Sequence, residues 1–507
     1  MTAGLAERIQ HVLRLAPQSG ALEFQGHWHT WGELAVAMDR LESVLTDGGL
    51  GEGAAVGVVL RNRPGSMAAI LQILASRRCV VPINPFQDPG KIARDLMSLK
   101  IAALLADPQD WDVAVIKDAA AAAGLLGVSI TSVPRLEVSP VCGLDRFRGS
   151  NHEQLPGCCI LMLTSGTTGE PKRVRLAYKS FERAMLTQAS LERGSAEGAP
   201  RLKQSPTLLT GPLVHIGGTY HAVAAIVCAR PLAILEKFNV ADWHQMILRH
   251  RPKVTALPPT ALRMVLDANI PRADLSSLRC ITSGSAPLDP DMADAWQARY
   301  GFPILDVYGA TEFAGAVAAW TLEDHQALWR SKRGSVGRAL PNIELRSVDQ
   351  SGTPVPAGNV GVLEVRSQQV GDGNWVRTTD LARIDGDGFL FIEGRADDAI
   401  IRGGFKVLPP DVEAVLRTHP DVQDVCVVGI PDARLGAIPV AAVQAKEGKN
   451  ASLHEAELLA HARKHLVAYQ VPVHIKVLAD LPRTQALKVS KHEVRRLFVS
   501  VSPGAPA

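Results

Sequence analysis

The sequence predicts an α/β chain with a large N-terminal domain of layered, mostly parallel sheets with helices over residues 1–394. A small α+β domain follows over 395–507. Three observations carry this. The length of 507 residues exceeds the size at which one core stops growing. Up to about residue 390, short apolar runs alternate with helical patterns, the rhythm that parallel sheets need. After Gly394 that rhythm changes, and the remaining stretch of about 110 residues is large enough to fold alone.

The elements follow in order. Ala54–Leu60 (AAVGVVL) reads as a strand, Met67–Ala75 as a helix and Cys79–Ile83 (CVVPI) as the next strand. Ile160–Leu163 is a buried strand. Lys253–Leu257 leads into a helix after Pro258-Pro259. Leu278–Thr282 is a strand ending in Ser283-Gly284-Ser285-Ala286-Pro287, and Asp289-Pro290 opens a helix as N-cap and first-turn proline. Phe389–Ile392 predicts a hairpin. In the small domain Val412, Val415 and Leu416 share a helical face that Pro420 stops, and Val425–Val428 and Ile438–Val443 are strands joined by a polar Pro-Asp turn. Two S-x-x-E capping boxes, Ser452 with Glu455 and Ser490 with Glu493, predict two more helix starts. The closing SVSPGAPA reads as a frayed tail.

Composition excludes several classes. Hydrophobic content of 46% with 21% charged residues is that of a soluble globular chain. A net charge of +3 with no basic block leaves nucleic acid without an electrostatic footprint. The seven cysteines are scattered and form no C-x-x-C pair, so neither a disulfide framework nor a zinc site is expected. The N-terminus has no continuous apolar segment of the secretory kind, and no long uncharged apolar run predicts a membrane span. The expected location is cytoplasmic.

The most informative stretch follows the Ile160–Leu163 strand: Thr164, Ser165, Gly166, Thr167, Thr168, Gly169 and, after Glu170-Pro171, Lys172. Small hydroxyls, amides freed by glycine and one ammonium suit a polyphosphate. The spacing is not that of a P-loop NTPase. Taken alone, such a cluster is often a plain loop. Four further stretches occur with it in order: Pro212-Leu-Val-His215-Ile-Gly-Gly218; Asp306-Val-Tyr308-Gly-Ala-Thr311-Glu312; Thr378-Thr-Asp380 with Gly394-Arg395; and Pro482-Arg-Thr-Gln-Ala-Leu-Lys488.

Together these residues resemble the adenylate-forming superfamily of acyl-CoA synthetases, luciferases and stand-alone adenylation domains, from about residue 20 to 497. The resemblance implies a small C-terminal domain that is mobile and rotates between two half-reactions about Asp397. It implies ATP, or acyl-AMP, held by Thr164–Lys172, by Gly284, Ser285, Ala286 and Pro287, by Asp306, Tyr308 and Gly309, and by Thr311, Asp380 and Arg395. Mg²⁺ would sit with Glu312 and Thr168, a hard cation wanting oxygen. Lys488, Thr311 and His215 would be catalytic, with the Lys488 ammonium meeting charge that builds up during attack on the α-phosphate. Coenzyme A would pass Gly403 and Gly404 and meet Lys406. The acyl pocket would be lined by Val214, His215, Gly217, Gly218, Ala310, Ala314, Gly315 and Ala316.

The resemblance implies an ATP-dependent acid–thiol ligase, with a carboxylic acid and coenzyme A as partners and a homodimer left open. Small pocket walls predict a bulky hydrophobic or polycyclic acid, or a medium-to-long fatty acid. Three positions depart from the usual pattern: Thr379, Leu487 and Arg173 stand where glycine is common. Losing glycine removes easy access to positive φ, so a different loop shape is expected there. The Leu487 change keeps open a ligase specialised for thioesterification of a supplied acyl-AMP. An acyl-AMP synthetase loading a carrier protein stays open too, as does a non-catalytic nucleotide- or acyl-binding homologue.

Overall fold

A computed structural model describes residues 4–149, 152–164, 172–313, 315–367, 373–403, 405–432, 434–450, 452–484 and 487–499, except 192–199. By backbone contact the chain divides into two compact units. One comprises Met1–Thr164, Pro171–Arg333 and Ser367–Asn374, and the other Ser165–Glu170, Gly334–Arg366 and Trp375–Ala507.

The first unit is built on layered sheets. Its largest runs in the order Glu137–Pro140, Leu126–Thr131, Ala103–Ala106, Ala55–Val59, Cys79–Ile83, Cys158–Thr164, Lys172–Ala177. The five inner strands are parallel, and the two outer ones run antiparallel to their neighbours. Ala55–Val59 and Cys79–Ile83 are buried at every position, which is why they read as continuous apolar runs. The helix Pro64–Ala75 packs nearly its whole length into the core. A second sheet orders Thr207–Leu209, Leu232–Ile234, Gly20–Phe24 and His27–Thr30. In a third, Val254–Ala256, Cys280–Gly284 and Ile304–Ala310 are parallel, and Gly315–Ala319 returns antiparallel. The expected mostly parallel layering is present.

The second unit holds an antiparallel sheet of Glu344–Val348, Val360–Arg366, Val376–Ile384 and Leu390–Arg395. It also holds the α+β elements: a hairpin of Ile400–Arg402 and Phe405–Val407, the long pair Val422–Asp432 and Gly436–Ala445, and His474–Leu478 alongside. Helices Pro409–Arg417, Glu455–His465 and Lys491–Val499 cover them. Two local expectations change. His454, not Ser452, precedes the helix Glu455–His465, and the Ser452 hydroxyl instead donates back to the Lys449 carbonyl. Pro431-Asp432 ends a strand instead of forming the turn, because the ladder extends to Asp432 against Gly436. Ser490 does receive the Glu493 amide at 3.3 Å. All seven cysteines are free, and among the described residues no helix is long and apolar enough to cross a membrane.

Candidate active site

In the first unit the candidate nucleotide residues sit at the carboxyl ends of parallel strands, where α/β sheets hold ligands. Thr164 ends one strand and pairs in register with Lys172, the first residue of its return strand. Ser165, Gly166, Thr167, Thr168 and Gly169 lie outside the described residues, as do Ala314 and Gly404. Gly284 ends its strand against Val307, where a Cβ would come within 2.7 Å of the Val307 carbonyl oxygen. Ser285 then turns the chain at φ +71°, an unusual conformation for a residue with a side chain, and Ala286-Pro287 lead away from it. Ser283 and Asp306 are register partners and both are buried. Burial pushes the Asp306 carboxyl up to about 7, against the pull of a 2.9 Å bond from the Val307 amide. The Ser283 hydroxyl is buried with no partner among the described residues. Tyr308 is half-buried two residues on, and Gly309 backs onto the Gly315 carbonyl. Thr311–Phe313 form a 3₁₀ turn in which Phe313 is buried and Glu312 is exposed. The buried ring anchors the turn and leaves the carboxylate facing water.

The small residues of the candidate acyl wall do two different things. Gly218 is packed tight, since a Cβ there would lie 2.1 Å from the Pro212 carbonyl oxygen. Gly315 is filled by Tyr220, whose ring carbons Cε2 and Cζ lie 2.7 and 3.1 Å from where a Cβ would be. Gly217 alone of these three leaves room, its absent side chain meeting only the Ser285 hydroxyl, at 3.9 Å. Val214 is buried, His215 is half-buried and caps the helix Ile216–Val227, and Ala310 pairs with Gly315. The segment before His215 is braced by Asn62. Its amide donates to the Gly211 and Leu235 carbonyls at 3.0 and 3.1 Å and accepts from the Leu213 amide at 2.8 Å.

In the second unit Asp380 and Arg395 are register partners on adjacent strands, with carboxylate and guanidinium 3.8 Å apart. Arg395 also forms a two-point pair with Asp397 at 2.9 Å and donates to the Thr379 hydroxyl at 2.6 Å. These carboxylates hold its pKa above the usual arginine value despite the opposing effect of burial. Asp398, next to Asp397, takes a 2.6 Å bond from Lys491. Gly403 turns the hairpin at φ +58°, and Lys406 pairs with Ile401 in it. Lys488 closes a compact loop: the Thr484 amide donates to the Lys488 carbonyl at 2.7 Å and the Leu487 amide to the Thr484 carbonyl at 2.9 Å. Arg483 ties this loop to Asp424 at 2.8 Å. Leu487 itself stands at φ +59°. Although Lys488 is exposed as a residue, desolvation of its ammonium lowers its pKa.

The three departures from glycine thus differ in setting. Thr379 lies in an extended strand and supplies a hydroxyl to Arg395. Leu487 keeps the left-handed backbone that glycine adopts freely. Arg173 lies in the strand Lys172–Ala177.

Known proteins now bear on this geometry. The family model for AMP-binding enzyme matches residues 9–375, and that for the AMP-binding enzyme C-terminal domain matches residues 411–488. The chain belongs to the AMP-binding enzyme family. It is 30% identical to the indoleacetate–CoA ligase of Aromatoleum aromaticum, over 97% of this chain and 98% of that protein. Among solved structures, ATP-bound MatB from Rhodopseudomonas palustris is 24% identical and covers 99% of this chain and 100% of its own, with a TM-score of 0.83. The amide bond synthetase McbA from Marinactinospora thermotolerans is 27% identical over 98% of this chain and 100% of its own, with a TM-score of 0.79.

Within this AMP-binding enzyme, sequence reasoning missed Asn62 and Tyr220. Neither stands in a motif that the notion of a phosphate loop or a strand end would single out. Asn62 lies between arginines in Arg61-Asn-Arg63 and reads as a surface residue, yet its side chain is buried and makes three hydrogen bonds. The signal for Tyr220 was its spacing, three residues beyond Gly217 in a helix, hence on the same face.

Proposed function

We propose that the chain is an ATP-dependent acid–thiol ligase that converts a hydrophobic carboxylic acid into its coenzyme A thioester through an acyl-AMP intermediate. The observation that carries this reading is the closed loop before Lys488, where a left-handed residue precedes the lysine although glycine is absent. That backbone supports an adenylating role and weighs against a protein confined to the thioester half. In the first half-reaction the acid's carboxylate oxygen attacks the α-phosphorus, the bond to the β-phosphate bridging oxygen breaks, and pyrophosphate leaves. The Lys488 ammonium stabilises charge on the phosphate and carboxylate oxygens, where it grows in the transition state. Asp380, with Arg395 beside it, accepts from the ribose hydroxyls, and Tyr308 gives the adenine a flat face. Thr311 donates to the α-phosphate and His215 borders the reacting carboxylate. In the second half-reaction the thiolate of coenzyme A attacks the acyl carbon and AMP departs. Asp397 is the hinge between the two, Gly403 and Gly404 give the pantetheine arm close approach, and Lys406 meets the AMP phosphate.

Among the described residues no group of three or more His, Cys, Asp or Glu side chains forms a metal site. One exposed carboxylate, Glu312, fits Mg²⁺, which binds through few protein oxygens and the nucleotide's phosphates. It would be held there with Thr168 and would neutralise phosphate charge.

The likeness to McbA favours a second reading in which an amine replaces the thiol as acceptor. Incubation with ATP, Mg²⁺ and mixed carboxylic acids, with coenzyme A or amines supplied separately, distinguishes the two. Pyrophosphate release with acyl-CoA by mass is the expected result. Amide product in place of thioester favours the second reading, and reaction with acetate or propionate alone overturns the hydrophobic acid.

A further inference from the structure

On the reading that the chain activates a carboxylic acid, the wall around Tyr220 narrows the acid's class. Tyr220 lies on the helix Ile216–Val227, three residues beyond Gly217, and so ~4.5 Å further along the same face. Gly217 gives room beside Ser285, at the end of the helix capped by His215. One edge of the Tyr220 ring, Cδ2, Cε2 and Cζ, lies over Gly315, and Phe181 packs edge-on against the ring at 6.5 Å. A body entering at Gly217 with its carboxylate toward His215 therefore points its tail at Tyr220. The Tyr220 hydroxyl makes no hydrogen bond to any described residue, although the side chain is packed against the core. The residue is half-buried, and a phenol without a protein partner is free to donate to a ligand. Desolvation pushes its pKa up to about 12, so at neutral pH it is a proton donor. Its neighbours Phe181 and Gly315 offer no counter-charge, so a second carboxylate on the tail would be desolvated without compensation.

We propose that Tyr220 determines acyl specificity: the acid has a bulky, largely apolar body and carries a neutral oxygen acceptor, a hydroxyl or a carbonyl, at the end remote from its carboxylate. The phenol donates to that oxygen, and Gly315 is glycine because the ring occupies its side-chain space.

The test uses matched acids on the full chain: hydrocinnamate with its para-hydroxy derivative, and decanoate with its terminal methyl ketone derivative and with the corresponding dicarboxylate. Pyrophosphate release gives kcat/KM for each. The oxygenated member of at least one pair is expected to be preferred, and Tyr220→Phe, which removes one oxygen, is expected to lower that preference roughly two- to tenfold. Gly315→Ala, whose methyl displaces the ring, is expected to lower it as well. Equal use of both members by the unaltered chain, a preference that survives Tyr220→Phe, or preference for a dicarboxylate over the ketone overturns the assignment while leaving the ligase reading intact. Absence of pyrophosphate with every acid defeats the ligase reading itself, and the Tyr220 assignment with it.

Discussion

The candidate nucleotide and acyl wall of the first unit and the lysine loop of the second are fixed by opposite means. On the wall, positions are fixed by sheet register and by backbone packed so close that only glycine fits, as at Gly218 and Gly284. Phe313 anchors one turn with a buried ring. In the loop, Leu487 holds a conformation that glycine would favour. Short backbone contacts and the Arg483–Asp424 pair hold it left-handed, at a cost of roughly 1–2 kcal/mol for a residue with a Cβ. The difference teaches that the wall is a product of global folding, whereas the loop carries local strain and is the part a single substitution can retune.

The largest expected effect sets the two apart directly. Lys488→Ala is expected to cut pyrophosphate release by about 10²–10³-fold, the scale of losing one charge-stabilising donor. Thioester formation from synthetic acyl-AMP should be spared. Equal loss in both arms would break the division of labour and return Lys488 to a structural role.

A pH profile sharpens the same contrast. Desolvation lowers the Lys488 pKa, so its ammonium loses its proton below the ordinary lysine range. The protonated form is the one that stabilises the transition state. Adenylation should therefore fall as pH rises through that lowered pKa, by about tenfold per unit beyond it, and the acyl-AMP arm should lack this limb. A basic limb common to both arms would assign the titration to another group.

The wall has its own titration. Asp306 has a folded-state pKa of about 7 through burial, above the value of about 3.9 in an unfolded chain. Between those values the folded chain binds the proton that the unfolded chain has released, so stability falls as pH rises through this window. Asp306→Asn removes the ionisation. It is expected to raise the melting temperature at pH 8 relative to the unaltered chain, by about 1–2 kcal/mol of stability. Near pH 4 the two should converge. A constant difference at all pH values would mean that Asp306 is already ionised in its site.

How much of this was legible depends on which kind of position is asked about. The strand ends Gly284 and Asp306-Val-Tyr308 stood out because buried parallel strands leave continuous apolar runs that stop at polar residues. The hairpin that pairs Asp380 with Arg395 was legible in outline, but not the Thr379–Arg395 bond, since sequence showed only a missing glycine. At Gly217, Gly218 and Gly315 sequence showed three small residues and equal room. Packing makes room at the first, closes the second on a carbonyl and fills the third with Tyr220. The identity of a small residue does not say whether its space is empty; only the neighbour does. Asn62 was hidden for the same reason, its partners lying more than a hundred residues away in sequence.

Leu487 gives the smallest effect and the finest cut between the two regions. If the left-handed backbone is what the lysine needs, replacing leucine by glycine removes strain without moving Lys488. Glycine regains the αL conformation without steric cost but loses more entropy on folding, so the net gain is about 0.5–1 kcal/mol. Leu487→Gly should thus raise the unfolding midpoint slightly and leave pyrophosphate release equal or a few-fold faster, with the thioester arm unchanged. Leu487→Val, β-branched and more costly at positive φ, should lower both the midpoint and pyrophosphate release. If instead glycine slows adenylation while valine is neutral, the leucine side chain, and not the backbone it strains, is what presents Lys488.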